Sequence, residues 1–237
     1  MAVLKKGKAK QISGVLGHIV YKQFNDKTVI YSRPEKYKRT KCPKARAVRD
    51  KFGDVVKFAR HINSNPYLKA IWKQSKIKGF SAYHKIIKTN HKLTVNQKLG
   101  ETNIIVPNAA TLPVLSLNLN RNLTPDHLEI SIDKLHKQIS NIKKRKLILQ
   151  SIFVFTNIQG KKKGSLEIDS MKSSLTDINF KDKITLSLEL DRYIKNMIEL
   201  SSELTVYVTL ICLKEQNEKF KWVSSYAKTF KLNDQPE

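Results

Sequence analysis

The residues best suited to chemistry in this chain are cations. Lys5, Lys6, Lys8 and Lys10 occupy four of six consecutive positions near the start, and Arg33 opens a segment in which Lys36, Lys38, Arg39 and Lys41 surround Tyr37. A flexible basic strand with an aromatic ring can follow a row of phosphates and offer a face on which a base stacks. The third group needs a helix. At ~100° per residue, Arg46, Arg49, Lys57 and Arg60 fall on one stripe about 80° wide, with Gly53 among them and Val48, Phe52, Val55 and Ala59 opposite. Cations set at successive heights along a rod meet the repeat of a phosphate backbone and release its condensed counterions. Glycine in mid-helix costs about 1 kcal/mol against alanine, a cost that close approach of a ligand or of a second helix would explain.

Each of these groups has a plainer reading. The stripe would also serve as a solvated helix face with Arg46/Asp50 and Asp54/Lys57 ion pairs, worth little each. The basic segment would also serve as a soluble tether. For Lys143 to Lys146 and Lys161 to Lys163 the plainer reading is the better one, since they flank the apolar run from Leu147 and its following loop.

Other chemistries are poorly provided for. The six histidines, at 18, 61, 84, 91, 127 and 136, include no His-x-x-x-His pair, and no cysteine pair stands near them to complete a zinc site. Gly14-x-x-Gly17 lacks the rest of a phosphate loop. The basic half holds only Asp26, Glu35, Asp50 and Asp54, too few carboxylates for a two-metal nuclease. We therefore expect no enzyme, no cofactor and no metal.

The distribution of charge divides the chain. Of 237 residues, the first 100 carry 25 Lys and Arg against 4 Asp and Glu, and the remainder 20 against 16. A hydrophobic fraction of 40% is that of a folded protein, long enough for one large or two ordinary cores. Cys42 and Cys212 lie far apart with no Cys-x-x-Cys spacing, which predicts reduced thiols and a cytoplasmic location. No signal-peptide run follows the first lysines, and Leu147 to Val154 and Val206 to Leu213 fall far short of the ~20 residues of a membrane span.

The elements that must position the cations follow from period and punctuation. His18 to Phe24 and Thr28 to Ser32 around Asn25-Asp26-Lys27 predict a hairpin. Pro34 and Pro43 keep the segment between them extended. Pro43 suits the first turn of a helix, which the 4, 3, 4, 3 spacing of Val48, Phe52, Val55, Ala59 and Ile62 continues to about His61. Tyr67 to Trp72 predicts a second helix and Ser81 onward a third. Beyond Pro113 the pattern turns to strands: Val114 to Leu119, Leu128 to Ile132, Ile148 to Thr156, Ser165 to Ile168, Ile184 to Leu190, Leu204 to Leu213 and Trp222 to Phe230, with a short helix within Asp191 to Leu200. Seven short strands with turns between them predict an antiparallel β-sandwich with Leu204 to Leu213 central.

Gly14, Gly17, Ile19-Val20-Tyr21, Arg33-Pro34, Arg49 and Phe52, with Ser81-Ala82-Tyr83 and Asn90, also carry a resemblance. Over roughly the first 90 residues the chain resembles a family of bacterial proteins with a domain of unknown function, which opens on a glycine-rich turn and a Val-Val-Tyr-like strand and leaves by Arg-x-x-Pro into a basic helix. It departs from that pattern at His18, where the family has asparagine, and at Asn25-Asp26, where it has a glycine-containing turn. The resemblance implies a basic N-terminal segment followed by a β-rich domain, and no activity.

The sequence as a whole predicts an α+β protein: a basic hairpin and helices over residues 1–105, then an antiparallel β-sandwich over 106–237. The function expected is non-enzymatic binding of RNA or DNA through phosphates. The alternative is a structural assembly protein of a large particle, docking through its β domain, whose basic half meets an acidic protein surface or packaged nucleic acid. Neither involves a membrane.

Overall fold

The computed structural model describes residues 2–4, 14–24, 27–33, 42–96, 98–107, 117–119, 127–132, 145–161, 164–175, 184–216 and 219–233. The chain divides into two compact units, Met1–Arg46 and Ala47–Glu237. In the first, β1 (Ala2–Leu4), β2 (Gly14–Leu16), β3 (Ile19–Phe24) and β4 (Lys27–Ser32) form an antiparallel sheet in the order β1-β4-β3-β2. The expected hairpin is its centre, with Tyr21 opposite Ile30. Gly17 sits at φ +59° in the turn between β2 and β3, a backbone that glycine adopts without steric cost.

The second unit is built on a four-stranded antiparallel sheet. Its strands are β7 (Arg145–Ile158), β8 (Leu166–Leu175), β10 (Ser201–Gln216) and β11 (Lys219–Asn233), in the order β11-β10-β7-β8. The run predicted as a central strand is therefore interior. Side chains alternate across a strand, and both faces of β7 and β10 are buried. Ile148, Ile152, Val154, Tyr207 and Ile211 point to one core. Leu147, Leu149, Phe153, Phe155, Val206, Val208 and Leu210 point to another. Two covered faces explain the unbroken apolar runs in the sequence.

The first of these cores is closed by helices. From α1 (Pro43–Ser64) come Val55, Phe58, Ala59 and Ile62; from α2 (Pro66–Gln74) Leu68, Ile71 and Trp72; from α3 (Ala82–Leu93) Ala82 and Ile86. Phe58 meets Tyr207 at 5.0 Å between ring centroids, the Trp72 indole donates from Nε1 to the Ile105 carbonyl at 2.8 Å, and the Tyr207 hydroxyl donates to the Gly100 carbonyl at 2.7 Å. The change of sequence character near residue 105 is thus a change of element type inside one unit. The second core takes Ile130 of β6 (His127–Ile132), Leu186 and Leu188 of β9 (Ile184–Glu189), and Ile194 and Met197 of α4 (Arg192–Leu200). Asp191 caps α4 by accepting from the Ile194 N–H at 2.8 Å.

The protein is α+β, with four helices and antiparallel sheets among the described residues. The structure departs from the expected sandwich in two respects. β6 and β9, with β5 (Leu117–Leu119), form a separate three-stranded sheet in the order β5-β6-β9, and the other face of the central sheet carries helices. Strand patterning reports how many faces are buried and is silent on what buries them.

Candidate polyanion-binding surface

α1 is set up at its start by local bonds: the Ala45 N–H donates to Cys42 Sγ at 3.4 Å and the Arg46 N–H to the Cys42 carbonyl at 3.0 Å. In the first unit, Arg33 and Arg46 are exposed. In the second, Arg49, Lys57 and Arg60 are exposed on α1, while Val55, Phe58, Ala59 and Ile62 on its other side are buried. Lys57 is also tied down, its Nζ donating to the Leu166 carbonyl at the start of β8 at 3.4 Å. The predicted apolar stripe is corrected at its N-terminal end: Val48 is 62% exposed and Phe52 50%. A helical period identifies a face, but burial also needs a surface beneath it. At this end the neighbour is the last turn of α3, where Phe52 meets His91 edge-on at 6.3 Å and the Lys51 ammonium donates to the Thr94 carbonyl at 2.9 Å. Gly53 is not there for helix packing, because an added Cβ would meet nothing within 4 Å.

The flanks of α1 carry two perturbed groups. Burial pushes the Asp54 carboxyl up, with the Lys57 charge opposing and Asp50 adding to the rise. Burial pushes the His61 imidazole down, against the charges of Asp169 and Glu167.

The charge extends beyond α1. Residues 55–100 contain ten Lys and Arg and no carboxylate. Nine of the ten are exposed. The tenth, Lys85, is buried and donates from Nζ to the carbonyls of Lys73 at 3.1 Å and Ser75 at 2.7 Å, which places a positive charge on the negative end of α2. Lys98 pairs with Glu203 at 3.8 Å. Lys69, Lys73, Lys76, Lys78, Lys88 and Lys92 lie exposed on α2, on α3 or between them. Ile77, Lys88, Thr89, Lys92 and Leu93 line an open depression of about 190 Å³.

The sequence pattern did not single out Phe80. It lies between α2 and α3 and is 76% exposed, its ring edge-on to His84 at 6.1 Å. The signal was an aromatic two residues after Lys78 and four after Lys76, the same interleaving that drew attention to Tyr37. The connection is held closely. Ser81 caps α3 by accepting from the His84 N–H at 3.2 Å, and its Oγ lies 2.9 Å from His84 Nδ1. Ser75 Oγ donates to the Trp72 carbonyl at 2.8 Å. A Cβ on Gly79 would come within 2.8 Å of the Lys85 side chain and 3.3 Å of its backbone nitrogen, so the absence of a side chain lets this turn close on α3.

Lys5, Lys6, Lys8, Lys10, Lys36, Tyr37, Lys38, Arg39 and Lys41 lie outside the described residues. Among the described residues, no group of three His, Cys, Asp or Glu side chains could hold a metal ion, and no helix is long and apolar enough to cross a membrane. Among the described residues, α1 to α3 and their connections offer exposed positive charge, an uncrowded Gly53 and two exposed phenylalanine rings, Phe52 and Phe80.

No family model matches the chain, and no curated protein matches it. A crystal structure described only as a protein from Archaeoglobus fulgidus is similar over 54% of this chain and all of its own length, at 8% identity and a TM-score of 0.23. A likeness that slight carries no argument about fold or function.

Proposed function

We propose that this protein is a non-enzymatic polyanion-binding protein that engages RNA or DNA through the phosphate backbone. The observation that carries the reading is the carboxylate-free stretch 55–100, whose nine exposed cations lie on helices and connections that bury their apolar side against the central sheet. A surface on which cations outnumber carboxylates draws a polyanion by counterion release whatever its base sequence. Arg46, Arg49 and Arg60 are each backbone contacts in this reading, and within the second unit Gly53 lets a phosphate approach α1 between Arg49 and Arg60. The two antiparallel sheets of the second unit are taken as the layers of a sandwich that supports the charged helices.

The test is anisotropy of labelled DNA and RNA of unrelated sequences across a salt series. Engagement of six to ten phosphates lowers affinity by ~10³ to 10⁵ between about 50 and 200 mM salt. Arg46→Ala, Arg49→Ala and Arg60→Ala together weaken all sequences alike and flatten the slope by about one unit for each phosphate no longer engaged. Folded protein that binds no nucleic acid at low salt overturns the reading. The alternative, a structural assembly protein docking through its β domain, then gains. It is checked by loss of a protein complex when the β domain is removed.

A further inference from the structure

Phe80 is a bulky ring displayed on a turn that the fold has fixed in place. Gly79 permits the close approach to Lys85, Lys85 bonds back to the carbonyls of Lys73 and Ser75, and Ser81 caps α3 immediately after the ring. Lys88 reaches the same turn from α3, its Nζ 3.5 Å from the Lys78 carbonyl. A ring that is 76% exposed adds little to the core, and nearby exposed cations are unsuited to an apolar protein partner, whose docking would desolvate them. They suit a ligand that is flat, has a π face and carries a negative charge at every repeat.

We propose that Phe80 is a stacking platform for a base of single-stranded nucleic acid, with Lys76, Lys78 and Lys88 holding the flanking phosphates. This deepens the polyanion reading and rests on it. The chemistry is general: every base has a π face, so an aromatic ring beside a phosphate-tracking groove favours single strands over duplex without reading sequence. In duplex the bases are already stacked on each other, so the ring gains nothing there while the lysines still meet the backbone. The open depression between Ile77, Lys88, Thr89, Lys92 and Leu93 continues the path of the strand along α3.

The experiment measures binding of the full chain to a single-stranded oligouridylate of about 12 nucleotides and to a DNA duplex of the same length, at low salt. Phe80→Ala is expected to weaken single-strand binding about 5- to 150-fold, the range for losing one stacked base, and to leave duplex binding and thermal stability unchanged. Phe80→Trp is expected to restore single-strand affinity, with indole fluorescence quenched on binding. Lys76→Ala/Lys78→Ala is expected to weaken both ligands. Equal loss on single strand and duplex in Phe80→Ala, or no loss on either, overturns the stacking role while leaving the polyanion reading standing. Wild-type protein that binds neither ligand removes both.

Discussion

The central sheet and the helices that cover it share one core, yet they spend their residues differently. β7 and β10 bury both faces, so almost every side chain between Leu147 and Phe155 is committed to structure. α1 to α3 bury one side only, and their other positions are free to carry lysine and arginine. The lesson is that charge for binding accumulates on elements with one uncommitted face. The two classes of position should therefore separate experimentally into those that move stability and those that move binding.

The largest effect expected lies in the sheet. Phe153 is fully buried and stacks with Phe155 at 6.3 Å between centroids, so Phe153→Ala should cost about 3–5 kcal/mol by chemical denaturation. Lys69→Ala, Lys73→Ala and Lys88→Ala together should stay within about 0.5 kcal/mol per site of wild type while weakening polyanion binding. A large stability loss in the lysine variant would break the comparison.

A smaller effect is expected where the helical layer is tied to the loop that follows it. Asn90 is fully buried in α3, donating from Nδ2 to the carbonyls of Ile86 at 3.2 Å and Ile104 at 3.0 Å and accepting from the Ile104 N–H at 2.8 Å. Asn103, also buried, donates to Thr94 Oγ1 at 3.1 Å and accepts from the Gly100 N–H at 3.0 Å. Asn90→Ala orphans the Ile104 donor and should cost about 1–3 kcal/mol. An unchanged denaturation midpoint would show that Asn103, Trp72 and Tyr207 hold the loop without the Asn90 side chain.

Most elements of the fold were legible because their signals are local. The hairpin, the three basic helices and α4 occur where period, proline and turn residues placed them. A strand falls on each of the seven runs of the second half, although β5 begins only at Leu117, β8 runs on to Leu175, and β10 and β11 extend beyond the predicted ends. What was illegible depended on partners distant in sequence. The alternation in β7 could not say that Phe58 and Ile62, some 90 residues earlier, would cover Ile152. The stripe on α1 could not say that its support begins at Val55. Among the described candidate cations, exposure was legible from helical phase, whereas Phe80 required knowing that its turn closes on Lys85 instead of on the core.

Gly53 sharpens the comparison at about 1 kcal/mol. With nothing within 4 Å of an added Cβ, Gly53→Ala should stabilise the protein by roughly that amount through helix propensity. If a phosphate approaches the backbone there, the same variant should bind duplex more weakly. A variant that is both more stable and unchanged in binding would assign the glycine no role at the surface.

The smallest effects come from the two titrating groups on α1, and they have opposite signs. Asp54 has its folded pKa raised above 3.8 by burial, so the folded state holds the proton more tightly than the unfolded chain. The stability it contributes is fully present below 3.8 and is lost as pH rises through the raised value. Asp54→Asn should therefore raise the melting temperature at neutral pH, with the gain vanishing in acid, and should tighten polyanion binding slightly by removing a negative charge from a basic helix. His61 has its folded pKa lowered below 6.5 by burial. Its contribution is present above 6.5 and is lost as pH falls through the lowered value. His61→Gln should flatten that decline. Melting curves of both variants across pH check the pair: a gain for Asp54→Asn that persists undiminished in strong acid would mean that the carboxylate is not the source, and that the flank of α1 differs from the sheet in packing alone.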